Sequence, residues 1–241
     1  FLWVLLQEHF AGVLAGAPPH SALLQRAAVG LLLLCSRLAS AGMQDQAVEA
    51  LQLLLKLPPA ASARLAPSVT QGLSSLLRDQ PVLVKLPSAW PTVFALLQSA
   101  ATDSQACEAG FQAYASLLDY PSPLLCRANF FPFFHTAKAY AVSRCCPSPL
   151  SIRAVASMYR LYAAVPQLVR QSRPLLGPSD PLPLDDEGSS PIRSIGPGGP
   201  FLTFLTPVWK EFWLPVLQDL CMLCQDPRLD VRNHAMSYLQ R

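Results

Sequence analysis

Residues 212–241 read FWLPVLQDLCMLCQDPRLDVRNHAMSYLQR, and this stretch decides the fold class. Apolar side chains recur at helical spacing on both sides of a central Asp-Pro dipeptide, which predicts two helices joined by a tight turn. The predicted stripe of the first helix consists of Leu214, Leu217, Cys221 and Cys224, and that of the second of Val231, Ala235 and Leu239. Such a helical hairpin indicates an all-α fold.

The turn between these helices is formed by Asp226, Pro227, Asp230, Val231 and Arg232. An Asp-Pro turn followed four residues later by Val-Arg is typical of HEAT repeats. We expect Asp226 to cap backbone amides, Asp230 to cap the second helix and Arg232 to form ion pairs with acids on neighbouring repeats. This turn pattern predicts a HEAT-like fold and does not indicate any catalytic or binding activity.

The rest of the chain shows the same periodicity, interrupted by clusters of proline. Ser21 follows Pro18 and Pro19 and is expected to cap one helix, and Asn129 is expected to cap another that starts at Phe130. No stretch alternates apolar and polar residues as a half-buried strand would. Successive helices with short turns favour a HEAT/armadillo-like α-solenoid of antiparallel helix pairs. A compact helical bundle is the alternative.

Composition divides the chain into three parts. Residues 1–172 are predicted to form a HEAT-like helical region, and residues 201–241 are predicted to start a further HEAT-like block. Between them, residues 173–200 contain seven prolines and five glycines and show no helical stripe. This composition is typical of a disordered linker.

The overall composition limits the classes of function. Hydrophobic residues make up 51% of the chain and charged residues 14%, so a large apolar surface must be covered. The net charge of +3 is small and dispersed, which argues against nucleic-acid binding and leaves weak attraction to an anionic membrane open. The apolar run from Val29 to Cys35 lies between Arg26 and Arg37, so no membrane-spanning helix is expected.

Seven cysteines, an odd number without the spacing of a disulfide framework, indicate a reducing compartment such as the cytosol. Cys221 and Cys224 form a C-x-x-C pair, which metal sites and redox sites also use. Their spacing predicts that both sulfurs lie on the buried stripe of one helix, and no second pair stands at zinc-site spacing. We therefore expect both to pack in the core, and we expect no catalytic residue, cofactor or metal.

Four phenylalanines crowd into five positions: Phe130, Phe131, Phe133 and Phe134. One side of a helix cannot bury all four, because neighbouring residues point in different directions around the helix axis. Neighbouring helices could cover the excess, or it could form a patch that contacts a membrane or a partner protein. This cluster is the candidate contact site of the chain.

Several segments resemble consecutive parts of the large Arf exchange factors, in particular the Golgi brefeldin-A-resistance class. They are RAAVGLLLLCSRLAS (26–40), VEALQLLLKLPP (48–59), VTQGLSSLLRDQ (69–80) and SAWPTVFALLQSAA (88–101). Residues 212–241 are similar to the start of a later homology block in those proteins, downstream of their Sec7 domain. The resemblance covers most of the chain and leaves residues 173–200 unmatched.

The family resemblance implies a function for which this chain contains no motif of its own. Members of this family activate Arf GTPases through a Sec7 domain whose glutamate finger displaces the nucleotide, and nothing in this chain resembles that domain. The implied role is a regulatory segment that helps place the exchange factor on early Golgi membranes, where activated Arf recruits the COPI coat. The implied partners are Arf and other trafficking proteins, reached through the parent protein, and Golgi membrane lipid. The implied location is the cytoplasm, at cis-Golgi and ER-Golgi intermediate membranes.

Two other hypotheses stay open. A HEAT adaptor of another class, such as a transport receptor or an assembly scaffold, fits the helical pattern equally well. A thiol or metal enzyme rests on the cysteine pairs alone. A Sec7 domain upstream in the full-length chain would distinguish an exchange-factor segment from an adaptor.

Overall fold

The computed structural model describes residues 2–18, 21–81, 83–120, 124–171 and 208–241. These residues form ten α-helices and no strand, so the predicted all-α fold is confirmed. The helices are α1 (Leu2–Gly16), α2 (Ala22–Ser40), α3 (Gln44–Leu55), α4 (Pro59–Asp79), α5 (Trp90–Ala100), α6 (Cys107–Leu118), α7 (Phe130–Val142), α8 (Ser148–Gln171), α9 (Leu214–Leu223) and α10 (Leu229–Leu239).

Three further short elements occur among the described residues. The 3₁₀ turns Leu83–Lys85 and Pro87–Ala89 precede α5, and a π-helical turn, Trp209–Trp213, leads into α9. The predicted linker, residues 173–200, lies outside the described residues. The division of the chain into three parts therefore stays a prediction.

Side-chain caps were predicted at the start of two helices, and one of them is present. Ser21 Oγ accepts a hydrogen bond from the Leu24 backbone N–H at 3.2 Å and caps α2, as predicted. Asn129 precedes α7, but its side chain does not cap that helix. Its amide donates to the Leu124 carbonyl and its Oδ1 accepts from the Cys126 N–H, each at 2.7 Å. Asn129 therefore holds the preceding loop, and the prediction of its capping role is wrong.

Alternate helices pack against one another and form two rows. The first row contains α1, α3, α5, α7 and α9, and the second contains α2, α4, α6, α8 and α10. Contacts between consecutive helices, notably α2 with α3 and α7 with α8, join the two rows. The buried apolar side chains form one cluster that draws on all ten helices.

Helices within a row run parallel. Arg153 of α8 pairs with Glu108 of α6 at 3.3 Å, 45 positions apart, and Arg160 pairs with Asp119 just after α6 at 2.6 Å, 41 positions apart. Because both partners advance together along the chain, α6 and α8 point the same way. Similar separations, of 40 positions for α2 with α4 and of 38 and 43 positions for α5 with α7, join other neighbours within a row.

Helix α2 spans 19 residues with a mean hydropathy of 1.5, which is enough by length and composition to cross a membrane. The apolar run between Arg26 and Arg37 was predicted to be too short to span a membrane. The helix includes both arginines and reaches the required length, and the expected absence of a spanning helix stays a prediction. One stripe of α2, including Leu24, Ala28 and Leu31, is fully buried, and the helix packs against α1, α3 and α4. A core helix of a helical stack shows the same features.

Two buried tyrosines of the core differ in their hydrogen bonding. The Tyr140 hydroxyl donates to the Leu97 carbonyl at 2.7 Å. The Tyr114 hydroxyl is fully buried and has no hydrogen-bond partner within the described part of the chain. Burial raises the pKa of both phenols above the ordinary value of 10.0, so both hydroxyls stay protonated at neutral pH.

This difference predicts opposite effects of the same substitution. Tyr114→Phe should raise the free energy of unfolding by about 1 kcal/mol, because it removes a hydroxyl that is buried without a partner. Tyr140→Phe should lower it by about 1 kcal/mol, because it removes a hydrogen bond that is made. Urea denaturation followed by circular dichroism measures both. Shifts of the same sign would contradict the assignment.

Candidate functional site

Three of the four clustered phenylalanines lie in the core. Phe130 and Phe134 are 0% exposed and Phe133 is 1% exposed, while Phe131 is half-buried. The prediction that the cluster forms a membrane or partner patch is therefore wrong for the three buried side chains. Neighbouring helices cover them instead.

Helix α7 is surrounded, because α5, α6, α8 and α9 all pack against it. The Phe133 ring meets Phe94 edge to face, with centroids 4.7 Å apart, and lies 6.0 Å from Tyr114. The Phe130 ring meets Phe212 of the π-helical turn at 5.0 Å and 86°. A helix that is apolar on all sides is typical of such a buried position. The aromatic cluster therefore joins α5, α6, α7 and the π-helical turn.

Two ion pairs run along the edge of this junction. The Arg127 guanidinium binds both carboxylate oxygens of Glu211, with Nε at 3.0 Å from Oε1, and lies 5.7 Å from the centroid of the Phe212 ring. Lys138 Nζ lies 2.6 Å from Asp219 Oδ1 and joins α7 to α9. Partly exposed pairs of this kind contribute about 0–1 kcal/mol each. They orient the π-helical turn and α9 against α7 more than they stabilise the fold.

The turn between α9 and α10 reaches back to the α7–α8 connection through one side chain. Arg228 binds Asp226 through its backbone N–H, Nε and Nη2, each at 2.9 Å. Its Nη1 donates to the Ser143 carbonyl and to Ser151 Oγ, each at 2.9 Å, and its Nη2 donates to the Ala141 carbonyl at 2.6 Å. Arg228 therefore ties the α9–α10 hairpin to α7 and α8.

This arrangement, which we name the Arg228 clamp, consists of Asp226, Arg228, Ala141, Ser143 and Ser151. The carbonyls at the end of a helix lack partners within the helix and carry partial negative charge, which a cation stabilises. The two charged side chains are only 20% and 9% exposed. The hydrogen bonds from Arg228 lower the pKa of the Asp226 carboxyl. Asp226 therefore stays ionised and holds the guanidinium in place.

The other residues of the predicted HEAT turn take different roles. Helix α10 begins at Leu229, with Arg228 before it, and no side chain caps it. Asp230 lies inside the first turn of α10, so the prediction that it caps this helix is wrong. Val231 is fully buried. No ion pair of Arg232 occurs within the described ranges. Arg228 makes the contacts to other helices that were expected of Arg232.

The sequence pattern alone does not single out Arg228 as a functional residue. Its position directly after Asp226-Pro227 is the one available signal, because a proline turn brings an acid and a base two positions apart to the same side. The spacing does not show which carbonyls of a distant loop the guanidinium would reach. That contact depends on how α7 and α10 are placed.

The C-x-x-C pair lies at the surface of α9. Cys221 is exposed and Cys224 is half-buried, whereas the buried residues of α9 are Val216, Leu220 and Leu223. The prediction that both sulfurs lie on the buried stripe is therefore wrong. The stripe is displaced because α9 contacts α7 and α10 through the face that carries Val216 and Leu220.

All seven cysteines are free thiols. Burial raises the pKa of the Cys35 thiol to about 12 and that of Cys146 to about 11, so both are protonated at neutral pH and act as small apolar side chains. Within the described residues, no group of three or more His, Cys, Asp or Glu side chains is arranged to hold a metal ion.

The described residues thus define an all-helical protein with two rows of parallel helices, whose notable polar site is a clamp between helices. The chain is 26% identical over 242 residues to the ARF guanine-nucleotide exchange factor GNL1 of Arabidopsis thaliana. It is 27% identical over 242 residues to the ARF guanine-nucleotide exchange factor GNOM of the same organism.

Each alignment covers the whole of this chain and 15% of the relative, so the chain spans about a seventh of the length of these curated relatives. The predicted resemblance to a region of the large Arf exchange factors is confirmed. No family model matches the chain, and no solved structure matches it.

Proposed function

We propose that this chain is a non-catalytic regulatory and scaffold segment of an Arf exchange factor. In this proposal the parent protein catalyses nucleotide exchange through a Sec7 domain outside the chain. The main support for this proposal is the coverage of the two sequence alignments, which include the entire chain and 15% of each relative. A scaffold segment needs no catalytic centre of its own, and its polar contacts serve to hold helices together.

The proposed architecture is a HEAT-like α-solenoid. Its support is the recurring separation of 38 to 46 positions between contacting residues of neighbouring helices in a row. HEAT and armadillo repeats place two or three helices in about 40–47 residues, which produces separations of this size. Stacking of such repeats creates long surfaces for partner proteins.

The proposed role is recruitment of the parent protein to cis-Golgi and ER-Golgi intermediate membranes, and through Arf to COPI vesicle formation. Its support is the resemblance of the sequence to the Golgi brefeldin-A-resistance class, together with the similarity to two ARF guanine-nucleotide exchange factors. The partners in this proposal are Arf and other trafficking proteins, with peripheral contact to lipid. Because Phe130, Phe133 and Phe134 are buried, such contacts would use other surfaces.

The test uses the full-length protein beside a version that lacks the present 241 residues. Both are expected to stimulate nucleotide release from soluble Arf equally, while the truncated version loses its concentration at the Golgi in cells. The isolated chain is expected to leave the release rate at its spontaneous value. Exchange activity of the isolated chain, or full Golgi recruitment of the truncated protein, would refute the proposal. A full-length protein without a Sec7 domain would favour an adaptor of another class.

A further inference from the structure

Helices α2 and α4 border an open groove of about 340 Å³, which we name the α2–α4 groove. Its walls include Val29, Leu33 and Ser36 of α2 and Ser68, Gly72 and Ser75 of α4. A Cβ atom added to Gly72 would lie 2.6 Å from Leu32 Cδ1. The glycine therefore lets the two helices approach closely, with Leu32 as the apolar floor.

The α2 wall of the groove exposes large apolar side chains. Leu33 is 65% exposed and Val29 is 40% exposed, while Leu32 and Leu76 in the groove are almost fully buried. Covering these apolar side chains removes their surface from water, so a partner would gain binding free energy from occupying this groove. Val29 and Leu33 lie on the side of α2 that faces α4. A further helix packed against the opposite side of α2 would leave them exposed.

Positive charge lies at both ends of the groove. Because α2 and α4 run parallel, with contacts 40 positions apart, Arg26 lies at the level of Arg64, and Arg37 lies at the level of Arg78. All four arginines are exposed. Asp79 is the only acidic residue in the sequences of these two helices. Counted along the helices, two arginines lie near each end of the apolar centre. Asp79, which lines the groove, pairs with Arg78 at 4.0 Å and offsets one of these charges.

The geometry points to the α2–α4 groove as a docking site for an acidic amphipathic helix of another protein. The two arginines of α2 are 11 residues apart and those of α4 are 14 residues apart. At 1.5 Å per residue these separations are about 16 Å and about 21 Å, or three to four turns. The partner helix would place apolar side chains at positions i, i+3 or i+4, and i+7 over Leu33, and carboxylates near both ends. The proposal needs neither Arf nor a membrane and stands apart from the function proposed above.

The shape of the groove favours a helix over a lipid surface. Leu32 and Leu76 are recessed between the two helices, so a flat bilayer cannot reach them, whereas side chains that project from a helix can. The Gln80 amide donates to Ser40 Oγ at 2.7 Å and joins the residue after α4 to the last residue of α2.

The test measures binding of a fluorescein-labelled peptide of about 18 residues, five helical turns, with leucines on one face and glutamates elsewhere. Fluorescence anisotropy is recorded while the complete 241-residue chain is titrated in. Saturable binding is expected, and Leu33→Ser should weaken it about tenfold, which corresponds to about 1.4 kcal/mol. Met222→Ser is the matched control, because Met222 is 66% exposed and lies on α9. It should leave the affinity unchanged.

A second set of measurements tests whether the partner helix must be acidic. The double variant Arg37→Glu/Arg78→Glu should also weaken binding about tenfold, and the same peptide with lysine in place of glutamate should bind about tenfold more weakly to the unaltered chain. Circular dichroism verifies that each variant keeps its helices.

Four results would overturn the proposal. They are no saturable binding of the acidic peptide, equal loss of affinity in Leu33→Ser and Met222→Ser, equal binding of the acidic and basic peptides, and co-sedimentation of the chain with phosphatidylserine vesicles that Leu33→Ser abolishes. The last result would assign the groove to an anionic membrane instead.

Discussion

Replacing Phe133 by alanine is expected to lower the free energy of unfolding by about 3–5 kcal/mol, the usual cost of removing a buried phenyl ring. The side chain is 1% exposed and contacts aromatic rings of both α5 and α6, at Phe94 and Tyr114. Its removal leaves a cavity where three helices meet, and rigid neighbours cannot fill it fully. Urea denaturation followed by circular dichroism at 222 nm provides the measurement.

Phe131→Ala is the matched control. Phe131 belongs to the same turn of α7 but is half-buried at the edge of the cluster, with its ring parallel to that of Phe212 and 6.0 Å from it. Its loss should cost about 1 kcal/mol, because less apolar area returns to water. Equal costs at the two positions would contradict the placement of Phe133. If a Phe133 variant binds membranes less well, the loss reflects unfolding, because the buried ring does not contact lipid.

The second large effect is expected for Arg228→Met, which should lower the free energy of unfolding by about 2–4 kcal/mol. Methionine keeps the apolar stem of the side chain and the backbone N–H that donates to Asp226, but it removes every hydrogen bond of the guanidinium. It leaves the Asp226 carboxylate, which is 9% exposed, without its cation, and the Ala141 and Ser143 carbonyls without a donor. The same denaturation experiment measures the loss.

Arg232→Met is the control for this variant, since Arg232 lies one turn further along α10 and carries the same charge. A surface change of this kind should stay within about 0.5 kcal/mol of the unaltered chain. If the two variants lose stability equally, the effect comes from net charge and the clamp makes no specific contribution.

The clamp also predicts a dependence on pH. The pKa of Asp226 is lowered in the folded chain by its hydrogen bonds to Arg228, so the pairing stabilises the fold above the ordinary aspartate pKa of about 3.9. This contribution is lost as the pH falls through the lowered pKa of the folded state. In Arg228→Met the difference in urea midpoint between pH 7 and pH 3 should therefore be smaller than in the unaltered chain. An unchanged difference would show that the pair does not titrate as described.

Helices and their ends were predictable where local chemistry determines them. The helical periodicity predicts the all-α fold, and Ser21 after two prolines caps α2 as expected. The helix that starts at Phe130 was predicted, but periodicity does not show which of its faces are buried, because α7 contacts helices on several sides. The pattern at Cys221 failed for a related reason, since the buried side of α9 depends on where α7 and α10 lie.

The polar contacts between helices were the least predictable part. A lone Asn129 before a helix suggests a cap, yet its side chain binds the loop before it. Arg228 reaches carbonyls 85 and 87 positions away, and no spacing rule for a single helix contains that information. The α2–α4 groove likewise arises from two helices whose pairing the sequence alone does not state.

The two rows continue across residues 172–207. Lys138 meets Asp219 at a separation of 81 positions and Ser151 meets Arg228 at 77, and without those 36 residues both separations would fall in the range of the other helix pairs. Helices α9 and α10 therefore occupy the next places in the two rows. Which helices are neighbours in a row is thus set by their packing faces and not by the length of chain between them.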